Sequence, residues 1–378
     1  MGNQFGLVDA YGDTWKTMKK STSGSFSILR LKKSLPMYNS CCREMIDFIA
    51  SQTCRDVEVD CVDMIKRCSI NILGVVGFGM NINTYNDRKS ELKMHADNLF
   101  NVTRFAALML IPNVMKYFRV PVFPPAASNF IKKVVEQNMK SRENENTERK
   151  DILGTLMKLH KDNPKDITKD MLIKTCLQFM ADGYTTTAEG VIAVLYMIAV
   201  NPEVEEKLKD EIDRVLEDKD DINGDLTEED INALGYLDMV FKETMRIATA
   251  GFTPRQCTKE WKVPNSDFII PEGTIVLIPI LGLQNDPEYW EQPEEFIPER
   301  FSEENKGKIR SGTYFPFGQG PRVCLGNNFA RFEAKVIIIY ILRHFSIVGG
   351  NTLPKKLTLD PNTFLAPQGG LKLKFKNR

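Results

Sequence analysis

Residues 317–326 read FGQGPRVCLG, and this stretch decides the fold. Its three glycines and one proline predict an extended loop, and an apolar run typical of a helix follows over residues 329–345. Cys324 lies where loop gives way to helix. A helix N-terminus offers unpaired backbone N–H groups and a partial positive charge, so we expect it to favour the thiolate form. The stretch therefore predicts the presentation of a thiolate, although a buried cysteine that caps a helix would give a similar local pattern.

The spacing of residue types in this loop is more specific than a lone cysteine beside glycines. It follows the pattern F-G-x-G-x-R-x-C-x-G, which is filled here by Phe317, Gly318, Gly320, Arg322, Cys324 and Gly326. The loop closely resembles the haem-binding loop of the cytochrome P450 family. The resemblance implies heme b with Cys324 as its thiolate ligand, a ligation that favours O–O cleavage, and a cofactor-binding role for Phe317.

Composition limits the classes of function. The chain has 378 residues, 42% of them hydrophobic, and its 50 basic and 50 acidic residues cancel. We therefore expect no nucleic-acid partner and favour a small-molecule site. No linker-like segment divides the sequence, so we predict a single domain over residues 1–378. The eight cysteines form no C-x-x-C pair, which argues against zinc or iron–sulfur centres and for free, mostly buried thiols.

The pattern over residues 168–200 predicts one long helix with Thr168 as its N-cap, too short in its apolar part to span a membrane. Its middle, ADGYTTT at 181–187, breaks the local rules for a core helix and so suggests function. It resembles the family signature A-G-x-(D/E)-T-T. By this resemblance Thr186 stabilises bound dioxygen, Asp182 replaces the Ala and Thr185 replaces the acid. Asp182 and Thr186 share a helix face, so Asp182 could supply the catalytic proton. Alternatively, Asp182 caps a local distortion of the helix or pairs with a base elsewhere.

A second family feature is the E-x-x-R of Glu243 and Arg246. Such pairs are common on surfaces, but the order E-x-x-R, Arg255, PERF at 298–301 and cysteine loop matches the family. By resemblance, Glu243, Arg246 and Arg300 form a structural charge triad. Where the family usually has His-x-Asp-Pro, this chain has Asn285 or Gln284 near the histidine position.

The cofactor's carboxylates also have candidate partners. Trp15 and Lys19 share a helix face in the pattern W-x-x-x-K, where the family has W-x-x-x-R contacting a haem propionate. Lysine keeps the charge but loses the two-pronged geometry of arginine. Arg255 and Arg322 match further propionate-binding positions. Taken alone, Trp15 could equally anchor an amphipathic helix.

The predicted fold class is mostly α (α+β), a cytochrome P450-like helical fold with small β-sheets. Extended chain is predicted at residues 57–59, 276–283, 357–359 and 371–375. The turn at residues 363–365 matches a family segment that dips into the substrate pocket.

The resemblance is closest to the microsomal branch, which oxidises xenobiotics, steroids and fatty acids. It implies a monooxygenase that inserts one oxygen atom into an apolar small molecule, with NADPH electrons delivered by NADPH-cytochrome P450 reductase at the cytoplasmic face of the endoplasmic reticulum membrane. It also implies that the family's N-terminal anchor and first sheet strands are absent from this chain. Two alternatives stay open: a haem-thiolate isomerase or dehydratase acting on peroxides without a reductase, and a non-catalytic truncated remnant.

Overall fold

The computed structural model describes residues 7, 10, 12–99, 102–118, 120–121, 123–145, 149, 151–217, 221–349 and 353–378. Helices dominate this part of the chain, and the small sheets are antiparallel, so the predicted fold class is confirmed.

The helices of the described chain vary from single turns to one of 32 residues. They are α1 Gly12–Ser23, α2 Ile28–Lys33, α3 Leu35–Thr53, α4 Cys61–Ile72, α5 Glu91–Asp97, α6 Val102–Leu110, α7 Pro112–Tyr117, α8 Pro125–Asn144, α9 Ile152–Asp162, α10 Lys169–Val200, α11 Pro202–Val215, α12 Glu228–Ala233, α13 Gly235–Ile247, α14 Ile280–Gln284 and α15 Asn327–His344. Short 3₁₀ turns lie at Gly24–Phe26, Pro298–Phe301, Lys306–Lys308 and Gly320–Arg322, and a π-helical turn lies at Leu73–Gly77.

The strands pair in three small groups. They are β1 Val59–Asp60, β2 Thr253–Gln256, β3 Trp261–Lys262, β4 Ile269–Ile270, β5 Ile275–Ile278, β6 Phe345–Val348 and β7 Lys372–Asn377. One sheet has the order β1-β7-β6, with Val59 opposite Leu373, while β2 pairs with β5 and β3 with β4.

Two strand predictions were wrong in extent. The strand predicted at residues 276–283 ends at Ile278, because Pro279 offers no backbone N–H and the chain then turns into α14. The strand predicted at residues 357–359 reduces to an isolated bridge between Leu359 and Pro367. A proline cannot donate to a ladder, so the pairing does not extend.

Helix α10 runs through the core and positions the rest. The hydroxyl of Thr168 accepts a hydrogen bond from Met171 N at 3.2 Å, as predicted for an N-cap. The helix packs against α4, α8, α13 and α15. Among helices of the described residues it alone is long and apolar enough to cross a membrane, contrary to expectation, but 89% of its apolar window is buried inside the protein. Such burial is typical of a core helix.

The thiols agree with the prediction from the sequence. All eight cysteines are free, and Cys41, Cys42, Cys61, Cys68 and Cys176 are buried.

The core also encloses an acid. Glu333 on α15 has no solvent exposure, and its Oε1 accepts a hydrogen bond from Ser69 Oγ at 2.5 Å. Its Oε2 has no hydrogen-bond partner. Burial raises the pKa of Glu333 to about 8, because the charged form is poorly solvated there.

This buried acid makes stability depend on pH. A carboxyl whose pKa rises on folding contributes stability that is complete below its unfolded pKa and is lost as pH rises through about 8. We expect Glu333→Gln, which keeps the acceptor for Ser69, to remove a loss of roughly 4 kcal/mol between pH 4.5 and 8. Urea unfolding across that range measures it, with the exposed Glu272→Gln as control. Parallel pH profiles for the wild type and Glu333→Gln would contradict the assignment.

Candidate active site

The loop before α15 holds Cys324 in a fixed backbone. Cys324 N donates to the carbonyl oxygen of Phe317 at 2.8 Å, which closes the loop on itself. Gly318 and Gly320 have φ of 74° and 77°, a region that favours glycine. The Phe317 ring lies nearly parallel to that of Phe241 on α13, with centroids 6.4 Å apart. The glycines thus form the predicted loop. The loop is anchored to α13, on the side of Cys324 that we call proximal.

Cys324 is exposed to solvent, yet its thiol has many protein atoms around it. Burial is the largest cause of the raised pKa of this thiol. A hydrogen bond from the Gly326 backbone lowers the pKa, but less than burial raises it. The Gly326 backbone therefore acts in the predicted direction, and burial outweighs it. A bound cation would supply the missing stabilisation.

Helix α10 contributes the second part of the candidate site, which we call its distal side. The negative charge of Asp182 further raises the pKa of Cys324, so the two residues lie within electrostatic reach of each other. Thr186 Oγ1 donates to the backbone carbonyl of Asp182 one turn earlier. The Oγ1 of Thr185 is buried and has no hydrogen-bond partner among the described residues. Asp182, Thr185 and Thr186 thus form a polar stripe in the middle of a largely apolar helix.

A basic cluster lies beside the cysteine loop. The guanidinium of Arg322 stacks on the Trp15 ring at 4.0 Å and donates to Ala10 O at 2.8 Å. The ammonium of Lys19 lies 5.2 Å from the same ring and donates to Pro321 O. Burial lowers the pKa of Arg322, and the charge of Arg255 lowers it further.

This cluster fits an anionic ligand. Within the described ranges, no carboxylate forms a salt bridge with Lys19 or Arg255. A cation whose pKa is lowered by a neighbouring cation is stabilised in its charged form by an anion placed between the two. The structure thus brings Trp15, Lys19, Arg255 and Arg322 close together beside the loop, and their binding of the haem propionates stays a prediction.

Glu243 and Arg246 form a buried ion pair. Both side chains have no solvent exposure, and two bonds of 2.9 Å join the guanidinium to the carboxylate. Arg300 Nε donates to Glu243 Oε1 at 3.2 Å. The three residues of the predicted triad are therefore in contact.

Sequence analysis noted Gln284 without a role, and the structure gives it one. Its side-chain nitrogen donates to Met245 O at 3.0 Å, and its Oε1 accepts from Phe315 N at 2.9 Å. Gln284 thereby joins the E-x-x-R helix to the cysteine loop. Glu189 binds the backbone of residues 364–365, a contact that was not predicted. The one feature of the sequence that could have indicated it is an acidic residue within an apolar run.

Comparison with known proteins agrees with this geometry. The sequence model of the family described as Cytochrome P450 matches residues 1–375. The chain belongs to the cytochrome P450 family. It is 28% identical to cytochrome P450 6k1 of Blattella germanica over 99% of this chain and 76% of that protein. It is 30% identical to cytochrome P450 9e2 of the same species (93% and 73%) and 29% identical to cytochrome P450 3A18 of Rattus norvegicus (97% and 75%).

Membership identifies the class of chemistry. The family holds haem by a cysteine thiolate and uses it for monooxygenation, so the chain is a haem-thiolate oxidoreductase of this type. Redox partners and hydrophobic substrates are properties of the same family.

The buried pair leads to a test of the proximal architecture. We expect Glu243→Ala to cost about 3–5 kcal/mol, because it leaves Arg246 buried without a counter-charge, and to impair haem incorporation. Glu288→Ala is the matched control, since the exposed Glu288–Arg310 pair should contribute at most about 1 kcal/mol. Denaturant unfolding and haem content measure both effects. Full haem occupancy with unchanged unfolding in Glu243→Ala would contradict the structural role.

Proposed function

We propose that the chain inserts one oxygen atom from O₂ into apolar small molecules such as xenobiotics, steroids or fatty acids at a haem held by Cys324. NADPH supplies the electrons through NADPH-cytochrome P450 reductase at the cytoplasmic face of the endoplasmic reticulum membrane. The observation that carries the proposal is an accessible thiol in the glycine-rich loop before α15, placed within electrostatic reach of Asp182 on α10.

The residues present fit the cofactor. Cys324 would ligate the iron, and Trp15, Lys19, Arg255 and Arg322 would hold the propionates by hydrogen bonds and charge. Phe317 supports the loop from the proximal side through Phe241. When bound, the haem binds O₂ and supplies the means to cleave its O–O bond.

The polar stripe on α10 is suited to holding a proton. The hydroxyl of Thr186 donates its hydrogen to the backbone carbonyl of Asp182. The lone pairs of Thr186 Oγ1 can therefore accept a further hydrogen bond. Asp182 is half-buried and lies on the same helix face as Thr186. The carboxyl of Asp182 can thus pass a proton toward Thr186 Oγ1, in place of the acid that Thr185 lacks.

Exposed apolar side chains support the membrane location. Tyr117 is 81% exposed and Phe118 68% exposed at the end of α7, beside the exposed Leu110, Ile111 and Val114. A contiguous apolar surface of this kind is suited to a lipid interface from which apolar substrates partition. On α1, Lys20 is exposed, and among the described residues Lys16 pairs with the exposed Asp13 alone. Two such accessible lysines suit encounter with an acidic flavoprotein.

A coupling experiment tests the function and the proton path together. With reductase, NADPH and an oxidisable apolar compound, the wild type should convert O₂ to product, while Asp182→Ala should bind haem and substrate normally but divert electrons to peroxide. The additional change Thr185→Glu should restore coupling, because it returns an acid to the family position. Asp170→Ala, an exposed acid on the same helix, serves as control.

Two results would contradict parts of this proposal. Rearrangement or dehydration of an organic peroxide without NADPH, together with no oxygenated product when NADPH and reductase are present, would establish the isomerase or dehydratase alternative. Unchanged coupling in Asp182→Ala would show that the proton arrives by another route.

A further inference from the structure

Glu189 on α10 binds the backbone of a distant turn. It is 1% exposed, and its Oε2 accepts hydrogen bonds from Phe364 N at 2.9 Å and Leu365 N at 3.0 Å. Glu189 follows Thr186 by three residues, so both lie on neighbouring positions of one helix face. The carboxylate therefore connects the polar stripe of α10 to the turn at residues 363–365.

The turn is the tip of a short loop. Its base is closed by the Leu359–Pro367 bridge and by hydrogen bonds from Asp360 N to Ala366 O at 2.9 Å and from Gln368 N to Thr358 O at 2.8 Å. Since neither a helix nor a strand includes the tip, its position depends on what it contacts. Glu189 supplies a two-point contact at the tip itself.

The side chains of the tip are placed against α10. A Cβ built on Gly190 would lie 3.9 Å from Leu365 Cδ1 and 3.8 Å from Met245 Cε, so this glycine leaves the room that Leu365 occupies. Phe364 and Leu365 are half-buried, and neither belongs to the hydrophobic core cluster. Their side chains therefore lie against α10 at the margin of the core, where part of each remains accessible.

The contact is strong for physical reasons. A carboxylate that accepts two N–H bonds in a buried setting forms charge-assisted hydrogen bonds. Burial raises the pKa of Glu189, whereas the bonds from Leu365 and Phe364 lower it. Removing the carboxylate would leave two N–H groups without an acceptor in a site that water barely reaches, so the turn would have to move.

We propose that Glu189 is a positioning residue that fixes the 363–365 turn on α10 and thereby sets the size and shape of the substrate that the site accepts. The inference rests on the proposed function, because it takes the space between α10 and Cys324 to be the substrate site and the turn to border it. Glu189 itself need touch neither substrate nor cofactor.

The chain offers a matched control for this contact. Glu211 on α11 is also a buried carboxylate that accepts two backbone N–H bonds, from Tyr236 at 2.7 Å and Leu237 at 3.1 Å. Its partners lie at the start of α13, away from the turn. Glu211→Ala therefore reproduces the structural cost of losing such an anchor without affecting residues 364–365.

The test compares Glu189→Ala, Glu189→Gln and Glu211→Ala in the haem-loaded full chain. Amide hydrogen exchange at Phe364 and Leu365 should accelerate about tenfold or more in Glu189→Ala, remain near wild type in Glu189→Gln, which keeps an acceptor, and not change in Glu211→Ala. Two haem-ligating probes of different size report the space beside the iron. The small 1-methylimidazole should bind all variants alike. The dissociation constant of the long 1-dodecylimidazole should change about tenfold, in either direction, between wild type and Glu189→Ala.

The possible failures are distinguishable. Wild-type exchange at both amides together with unchanged preference between the two imidazoles in Glu189→Ala would overturn the role of Glu189. An equal change in the preference between the two imidazoles in Glu211→Ala would show that Glu189 contributes only to general stability. A wild type that shows no thiolate-ligated haem would instead refute the proposed function, and amide exchange would still report whether Glu189 holds the turn.

Discussion

The proximal half of the structure depends on the buried pair of Glu243 and Arg246. Two charges without solvent exposure are unfavourable unless every polar group of both side chains has a partner. Here the guanidinium also donates to Gln284 O, Pro293 O and Glu295 O, at 2.9–3.1 Å. The carboxylate also accepts from Ile297 N at 3.0 Å. One ion pair thus fixes the irregular chain between α14 and Pro298–Phe301 on α13, where backbone pairing alone would not hold it.

This constraint extends to the cysteine loop through Gln284. Its amide bonds both α13 and Phe315 N, two residues before Phe317, whose carbonyl holds Cys324 N. On the other side, α10 is rigid because it is buried along most of its length, and it carries Asp182, Thr186 and Glu189 on one face. The candidate site therefore combines two parts of the chain that are held in different ways: a loop tied to an ion pair, and a helix held by packing.

Short-range chemistry was predictable from the sequence. The Thr168 cap, the E-x-x-R contact and the glycine-shaped loop each involve residues within a turn or two, and specific residue types give them away. Contacts between Glu189 and residues 364–365, or between Gln284 and Phe315, join segments that no local pattern links. The shortened strand at Ile278 and the isolated bridge at Leu359 were missed because apolar alternation does not report where a ladder loses its donors. The effect of the helix start on the Cys324 thiol was predicted in direction, but the net pKa was not, because burial, which the sequence does not show, outweighs it.

The central claim is that Cys324 ligates the haem iron, and the spectrum of the reduced protein with carbon monoxide tests it most directly. The account predicts the red-shifted Soret band of thiolate ligation in the wild type and in Cys54→Ser, which alters an exposed cysteine distant in sequence from the loop. It predicts loss of that band in Cys324→Ser. Retention of the band in Cys324→Ser would contradict the account.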